Sequence, residues 1–79
     1  MTEVKHTKPW ETVPAYGRQL RLREVASITG LSKSQIYLMI SEGRFPPLVK
    51  IGSRASALPE PWLEAFIQHR ADETLEQKP

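Results

Sequence analysis

Through residues 1–19 apolar and polar positions follow no period, and Pro9, Pro14 and Gly17 interrupt every short run. Such a segment carries too little patterned apolar surface to order itself, and it reads as an irregular or disordered arm. Trp10 and Tyr16 are its large aromatics. Docking on the domain and contact with a partner are both open to them, but the composition favours a loose arm.

From Leu20 the pattern changes. Leu22, Val25, Ala26 and Ile28 recur at helical spacing and predict a first helix over 22–29. Gly30 ends it, because glycine enters the left-handed conformation without steric cost. The next start signal is more complete. Ser32 suits an N-cap, Gln35 stands where its side chain reaches back to the cap N–H, and Leu31 and Ile36 sit at the hydrophobic-staple positions. A second helix is therefore predicted from Lys33 to Glu42, closed by Gly43. Two short helices joined by Gly30-Leu31-Ser32 form a helix-turn-helix.

Beyond Arg44, Pro46-Pro47 forbids helix and enforces an extended path. Leu48 to Ile51 reads as a strand, Gly52-Ser53 as a two-residue turn, and Arg54 to Leu58 as the returning strand. That hairpin has the dimensions of a wing. Pro59 and Pro61 end it and suit the first turn of a third helix. In this helix Trp62, Leu63, Phe66 and Ile67 share a face, and the pattern fades near Arg70. Ile36, Met39, Ile40, Phe66 and Ile67 are the expected core. The predicted fold is mainly α with a small β-hairpin, a winged helix-turn-helix over residues 20–70, with a flexible arm at 1–19 and a flexible polar tail at 71–79.

Composition narrows the function classes. At 79 residues the chain makes one domain near the lower limit for independent folding, with a stability of only ~3–5 kcal/mol expected. Without cysteine, neither a disulfide nor a thiolate metal site supplements the core. No run of ~18 apolar residues and no apolar leader segment occurs, so the chain is expected to be neither membrane-spanning nor secreted. His6 in the arm and His69 at a helix end make no metal-ligand pattern. No nucleophile–base pairing or glycine-rich phosphate loop appears, so neither catalysis nor a cofactor is expected.

The net charge of +2 becomes informative once divided along the chain. Residues 1–17 are neutral overall, and residues 55–79 carry a net −3. Residues 18–54 hold Arg18, Arg21, Arg23, Lys33, Arg44, Lys50 and Arg54 against Glu24 and Glu42, a net +5. Basic charge confined to the helix-turn-helix and hairpin suits a polyanionic partner, although ordinary surface solvation clusters charge as well.

Three stretches also carry a family resemblance. The run Thr29-Gly30-Leu31-Ser32-Lys33-Ser34-Gln35-Ile36-Tyr37, then Ile40-Ser41-Glu42-Gly43-Arg44-Phe45-Pro46, then Val49-Lys50-Ile51-Gly52-Ser53-Arg54, closely resembles the AlpA-type phage regulators. That family is related to winged-helix excisionases and to the DNA-binding module of MerR-type regulators, and the resemblance spans roughly residues 20–70. It implies a bacterial or prophage origin, a cytoplasmic and nucleoid-associated protein, and a role in transcriptional control or in excision of an integrated element. It also implies that the second helix and the wing bind double-stranded DNA. So small an interface is expected to need adjacent repeats, neighbouring protomers or a partner integrase or recombinase for useful occupancy.

Two positions depart from the family pattern. Where the wing usually carries a Gly-Trp pair after the arginine, this chain has Ala57-Leu58, and Trp62 is expected to replace that ring as the plug between hairpin and helices. At position 38 the family often has arginine or another polar residue, and here Leu38 leaves Lys33 as the helix's cation. Leu38 is open to contact with a thymine methyl or with a neighbouring protomer.

The site residues follow from this arrangement. Ile36, Met39 and Ile40 should face inward, turning Lys33, Ser34, Gln35, Tyr37, Leu38 and Ser41 outward or sideways. Residues near the start of a recognition helix reach base edges, so Lys33 suits guanine and Gln35 suits adenine, unless capping occupies Gln35. Ser34 and Tyr37 are placed for phosphate. Lys50 and Arg54 belong to the wing, for phosphate or minor-groove contact, with solvated strand charge as the plain alternative. Arg21, Arg23 and Arg44 are further backbone candidates. If about five cations neutralise phosphates, log K should fall with log[salt] at a slope of about −4 to −5. An alternative function is a protein-interaction module on the same scaffold that never touches DNA.

Overall fold

The computed structural model describes residues 8–76; what the sequence suggests for residues 1–7, His6 included, and for 77–79 lies outside the described residues. The elements are β1 (Gln19–Leu20), α1 (Leu22–Thr29), α2 (Lys33–Ser41), β2 (Val49–Lys50), β3 (Ser56–Pro59) and α3 (Glu60–Glu76). The fold is mainly α with a small antiparallel sheet, and a hairpin follows the helix-turn-helix as the pattern predicts. No helix among the described residues is long and apolar enough to cross a membrane.

α1 starts at Arg21, whose backbone N–H donates to Glu24 Oε1 at 2.8 Å. Arginine has no acceptor, so only this half of a capping box forms. Gly30, at φ 78°, ends the helix with its N–H on the Ala26 carbonyl at 2.8 Å, a single-bond left-handed cap. Thr29 Oγ1 accepts from Leu31 N–H at 3.2 Å and steers the turn into α2. There the box is complete: Ser32 Oγ accepts from Gln35 N–H at 3.1 Å, and Gln35 Oε1 accepts from Ser32 N–H at 3.0 Å. At the far end Gly43 N–H reaches the Ile40 carbonyl and Arg44 N–H the Met39 carbonyl, at 3.0 and 2.8 Å. Those two bonds are the paired closure of a Schellman motif, with Gly43 at φ 76°.

The sheet has the order β1-β3-β2, so the hairpin strand β3 lies at its centre. Val49 and Lys50 pair with Ala57 and Ser56, while Gln19 and Leu20 pair with Pro59 and Leu58. β1 has no counterpart in the sequence reading, since two residues are too few to show alternation. Pro59 lacks an N–H, and Glu60 N–H continues the ladder by bonding the Arg18 carbonyl at 2.8 Å. The hairpin turn is displaced by one residue from expectation. Ala55 N–H faces the Gly52 carbonyl at 3.5 Å, which puts Ser53 and Arg54 at the centre of the turn. Arg54 therefore stands at the hairpin tip, not on a strand.

Leu20, Val25, Ile36, Phe45, Leu58, Leu63, Phe66 and Trp10 form the core. Phe45 and Phe66 pack with ring centroids 4.6 Å apart, and Trp10 lies 6.2 Å from Phe66. Each pair is tilted, a geometry that suits aromatic quadrupoles. Four expectations need correction here. Trp10 is buried, 5% exposed, because the aromatic pair it completes rewards docking of an otherwise aperiodic arm. Met39 and Ile40 pack at the margin of the core and not inside it. Ile67 is 42% exposed, since it lines an open groove across from the end of α1, Leu31 and Met39. α3 also runs to Glu76 and does not fade at Arg70. Its last turns are held by polar contacts that an apolar pattern does not register, among them Gln68–Asp72 and His69–Glu73 at 2.9 and 3.2 Å.

Trp62 is half-buried, and its indole N–H donates to the Val13 carbonyl. The ring thus fastens the N-terminal arm to α3, a different task from plugging the hairpin.

Candidate nucleic-acid interface

α2 presents three distinct sides. Ile36 is fully buried, which fixes the inward direction. At about 100° per residue, Ser34 and Leu38 then point within roughly 20° of straight outward, with Ser41 beside them. Lys33 and Tyr37, one turn apart, occupy the flank toward the hairpin. Met39 occupies the opposite flank, facing Ile28, Leu31 and Ile67.

On the hairpin side lies a concavity of about 380 Å³. Arg21 and Arg23 reach it from the start of α1, Lys33 and Tyr37 from α2, Arg54 from the hairpin tip and Ser56 from β3. Five of the residues singled out in the sequence, from three separate elements, thus line one surface. Among the described residues none of these four cations pairs with a carboxylate. Arg21 moreover sits at the N-terminus of α1, where the helix dipole already favours an anion. Four unpaired positive groups gathered around one concavity suit a polyanion whose own charge replaces the missing counter-ions.

The remaining predicted residues stand elsewhere. Arg44 is held by Glu42, with Nη2 at 2.6 Å and Nε at 2.8 Å from the same carboxylate oxygen, so its charge is locally matched. Lys50 is exposed on β2, and its Nζ donates to the Ser53 carbonyl at 3.3 Å across the hairpin turn. Ser34 is exposed on the crest of α2. Gln35 Oε1 accepts the Ser32 N–H of the capping box, which ties the side chain back over the start of α2. Arg18, the other cation of the basic segment, bridges Glu24 at 3.1 Å and Glu60 at 3.8 Å. Ser56 is the residue that sequence reasoning missed. Its register opposite Lys50 was the available signal, and the one-residue error in the turn hid it.

Glu24 links this charge to the helix. The Arg21 N–H bonded to it, with the nearby Arg18 and Arg23 guanidinium groups, holds its carboxyl below the ordinary value. Its ionised form therefore neutralises Arg18 and caps α1, while leaving the side chains of Arg21 and Arg23 to the concavity.

The chain is also similar to known proteins. The family described as Prophage CP4-57 regulatory protein (AlpA) matches residues 18–71, which contain every element from β1 onward except the last turns of α3. A protein of Enterobacteria phage P4, named "Uncharacterized protein ORF88", is 44% identical over 50 residues, covering 63% of this chain and 52% of the phage protein. The chain thus spans about half the length of that curated relative. No solved structure matches it. A regulatory family points away from catalysis, in keeping with a site built of cations and hydroxyls. On the extent of that match and the helix-turn-helix it covers, the chain belongs to the AlpA family of prophage regulatory proteins.

Proposed function

We propose that this protein binds double-stranded DNA sequence-specifically, with α2 in the major groove and the β2–β3 hairpin on the backbone or minor groove. Within that reading it acts as a transcriptional regulator or an excisionase of a phage or mobile element. The carrying observation is the concavity in which Arg21, Arg23, Lys33 and Arg54 converge beside an exposed helix face. A helix of this size fits the major groove, and its flanking cations then meet the phosphates of one groove wall.

The residues divide by task. Arg21, Arg23 and Arg54 neutralise phosphates, which fixes register without reading sequence. Tyr37 and Ser56 donate hydroxyl hydrogen bonds to the same backbone. Lys33, at the start of α2, reaches a phosphate or a guanine edge, and Ser34 lies over the base edges. Lys50 extends the basic surface along the hairpin. Arg44 contributes least, because Glu42 already matches its charge. So small an interface binds one site weakly, and useful occupancy needs adjacent sites, neighbouring protomers or a partner recombinase. Such a role belongs in the bacterial cytoplasm, on nucleoid DNA.

Footprinting of the protein on the DNA flanking its own coding region tests the proposal. Protection of short direct repeats beside an attachment site indicates excision, and protection across a promoter indicates regulation. No protection and no duplex shift at low salt would sink the DNA reading. In that event the apolar groove between Ile28, Met39 and Ile67 favours the second reading, a protein-interaction module on the same scaffold.

A further inference from the structure

We infer that Leu38 is a specificity-determining residue that selects thymine by packing on its C5-methyl group. The inference rests on the DNA-binding reading above and deepens it. Leu38 points straight away from the buried Ile36, is 55% exposed, and is the one large apolar side chain on the outward crest of α2. The crest has little else with which to read a base. Ser41 Oγ is turned inward on the helix, donating to the Leu38 carbonyl at 2.7 Å. Gln35 has its carbonyl oxygen bonded to Ser32 N–H in the cap of α2, which turns the side chain back toward the helix start and away from the two-point contact by which a glutamine reads adenine. The basic groups lie to one side, around the concavity with Lys33 and Tyr37.

Charge complementarity settles what covers this crest. With the phosphates drawn to the concavity, the row of Ser34 and Leu38 lies over the floor of the groove. There the thymine methyl is the only apolar group that unmodified base edges display. An exposed leucine facing hydrogen-bonding edges leaves them unsatisfied; facing a thymine methyl it removes apolar surface from water on both sides. Leu38 therefore discriminates by burial and Ser34 supplies the adjacent hydroxyl.

The test uses the full chain. Duplexes are selected from a pool with a randomised central segment, and a selected duplex is resynthesised with deoxyuridine replacing one thymidine at a time. The change removes one methyl group and keeps every hydrogen-bonding atom. The account expects about 3- to 5-fold weaker binding at one or two thymines, the worth of one buried methyl. It expects the Leu38→Ala protein to bind the thymidine and deoxyuridine duplexes equally. Circular dichroism of this variant should be parental, because the replaced side chain is exposed and alanine favours helix. Indifference of the wild type to every deoxyuridine would overturn the inference while leaving DNA binding intact. So would a Leu38→Ala protein that keeps the discrimination but loses self-association in sedimentation, since Leu38 would then serve a second copy. Failure to enrich any duplex would remove the DNA-binding reading itself, and this inference with it.

Discussion

The indole N–H of Trp62 donates to the carbonyl oxygen of Val13 at 2.7 Å, joining α3 to the N-terminal arm across 49 positions of chain. Three residues earlier in the arm, Trp10 enters the core against Phe66. The family match begins only at residue 18, so both arm contacts come from outside it. The described part of the arm, from Lys8 onward, is a structural part of this domain.

Trp10→Ala should accordingly cost ~3–5 kcal/mol, the usual range for losing a buried large aromatic. In so small a domain that approaches the whole stability, and denaturant titration should find much of the variant unfolded in water. Trp62→Phe keeps an aromatic ring at that position and deletes the bond to Val13, for a loss of about 1 kcal/mol. A Trp10→Ala midpoint equal to the parent's would mean that the arm does not support the core.

The bend between α1 and α2 depends on backbone conformation more than on space. Nothing lies within 4 Å of where a Cβ on Gly30 would stand, yet its φ is +78°. Gly30→Ala should therefore destabilise by about 1–2 kcal/mol through conformation alone, and Gly30→Asn by less. Ser32→Ala, which removes the acceptor for Gln35 N–H, should cost about 1 kcal/mol. Thermal unfolding at fixed pH measures all three.

Acid should loosen α1 through Glu24. Its carboxyl is held below the ordinary value in the folded chain, first by the Arg21 N–H and then by the neighbouring guanidinium groups. Its contribution to stability is therefore complete above the unfolded-state value and is lost as pH falls through the lower folded one. Glu24→Gln should remove that component and flatten the acid limb of stability against pH. Equal acid limbs for parent and variant would show that the carboxylate makes no such contribution.

Much of the fold was legible where local chemistry decides it. Gly30, Ser32, Gln35 and Gly43 mark both helix ends by backbone need, and the structure puts α1 over the anticipated 22–29. Legibility failed where a distant partner decides. Trp10 is ordered by Phe66, β1 by β3, and neither shows in a local period. The end of α3 is set by polar side-chain pairs, which an apolar stripe does not reveal. At the site, the cations were visible as a basic segment. Which of them converge was not, because Arg54 swings to the turn tip while Glu42 claims Arg44. Competition among acids for each cation depends on side-chain geometry that a residue pattern does not record, even for neighbours such as Glu42 and Arg44, and it separates the concavity from the rest of the basic surface.

The salt dependence of duplex affinity tests the central claim most directly, measured on a labelled duplex with the parent, Arg54→Ala, Lys33→Ala and Arg44→Ala. Each phosphate contact contributes about −0.9 to the slope of log K against log[salt]. The account predicts that losing Arg54 or Lys33 makes the slope shallower by about that amount, while losing Arg44 leaves it near the parental value. A parental slope in both the Arg54 and Lys33 variants, or an equal change in the Arg44 variant, would contradict it.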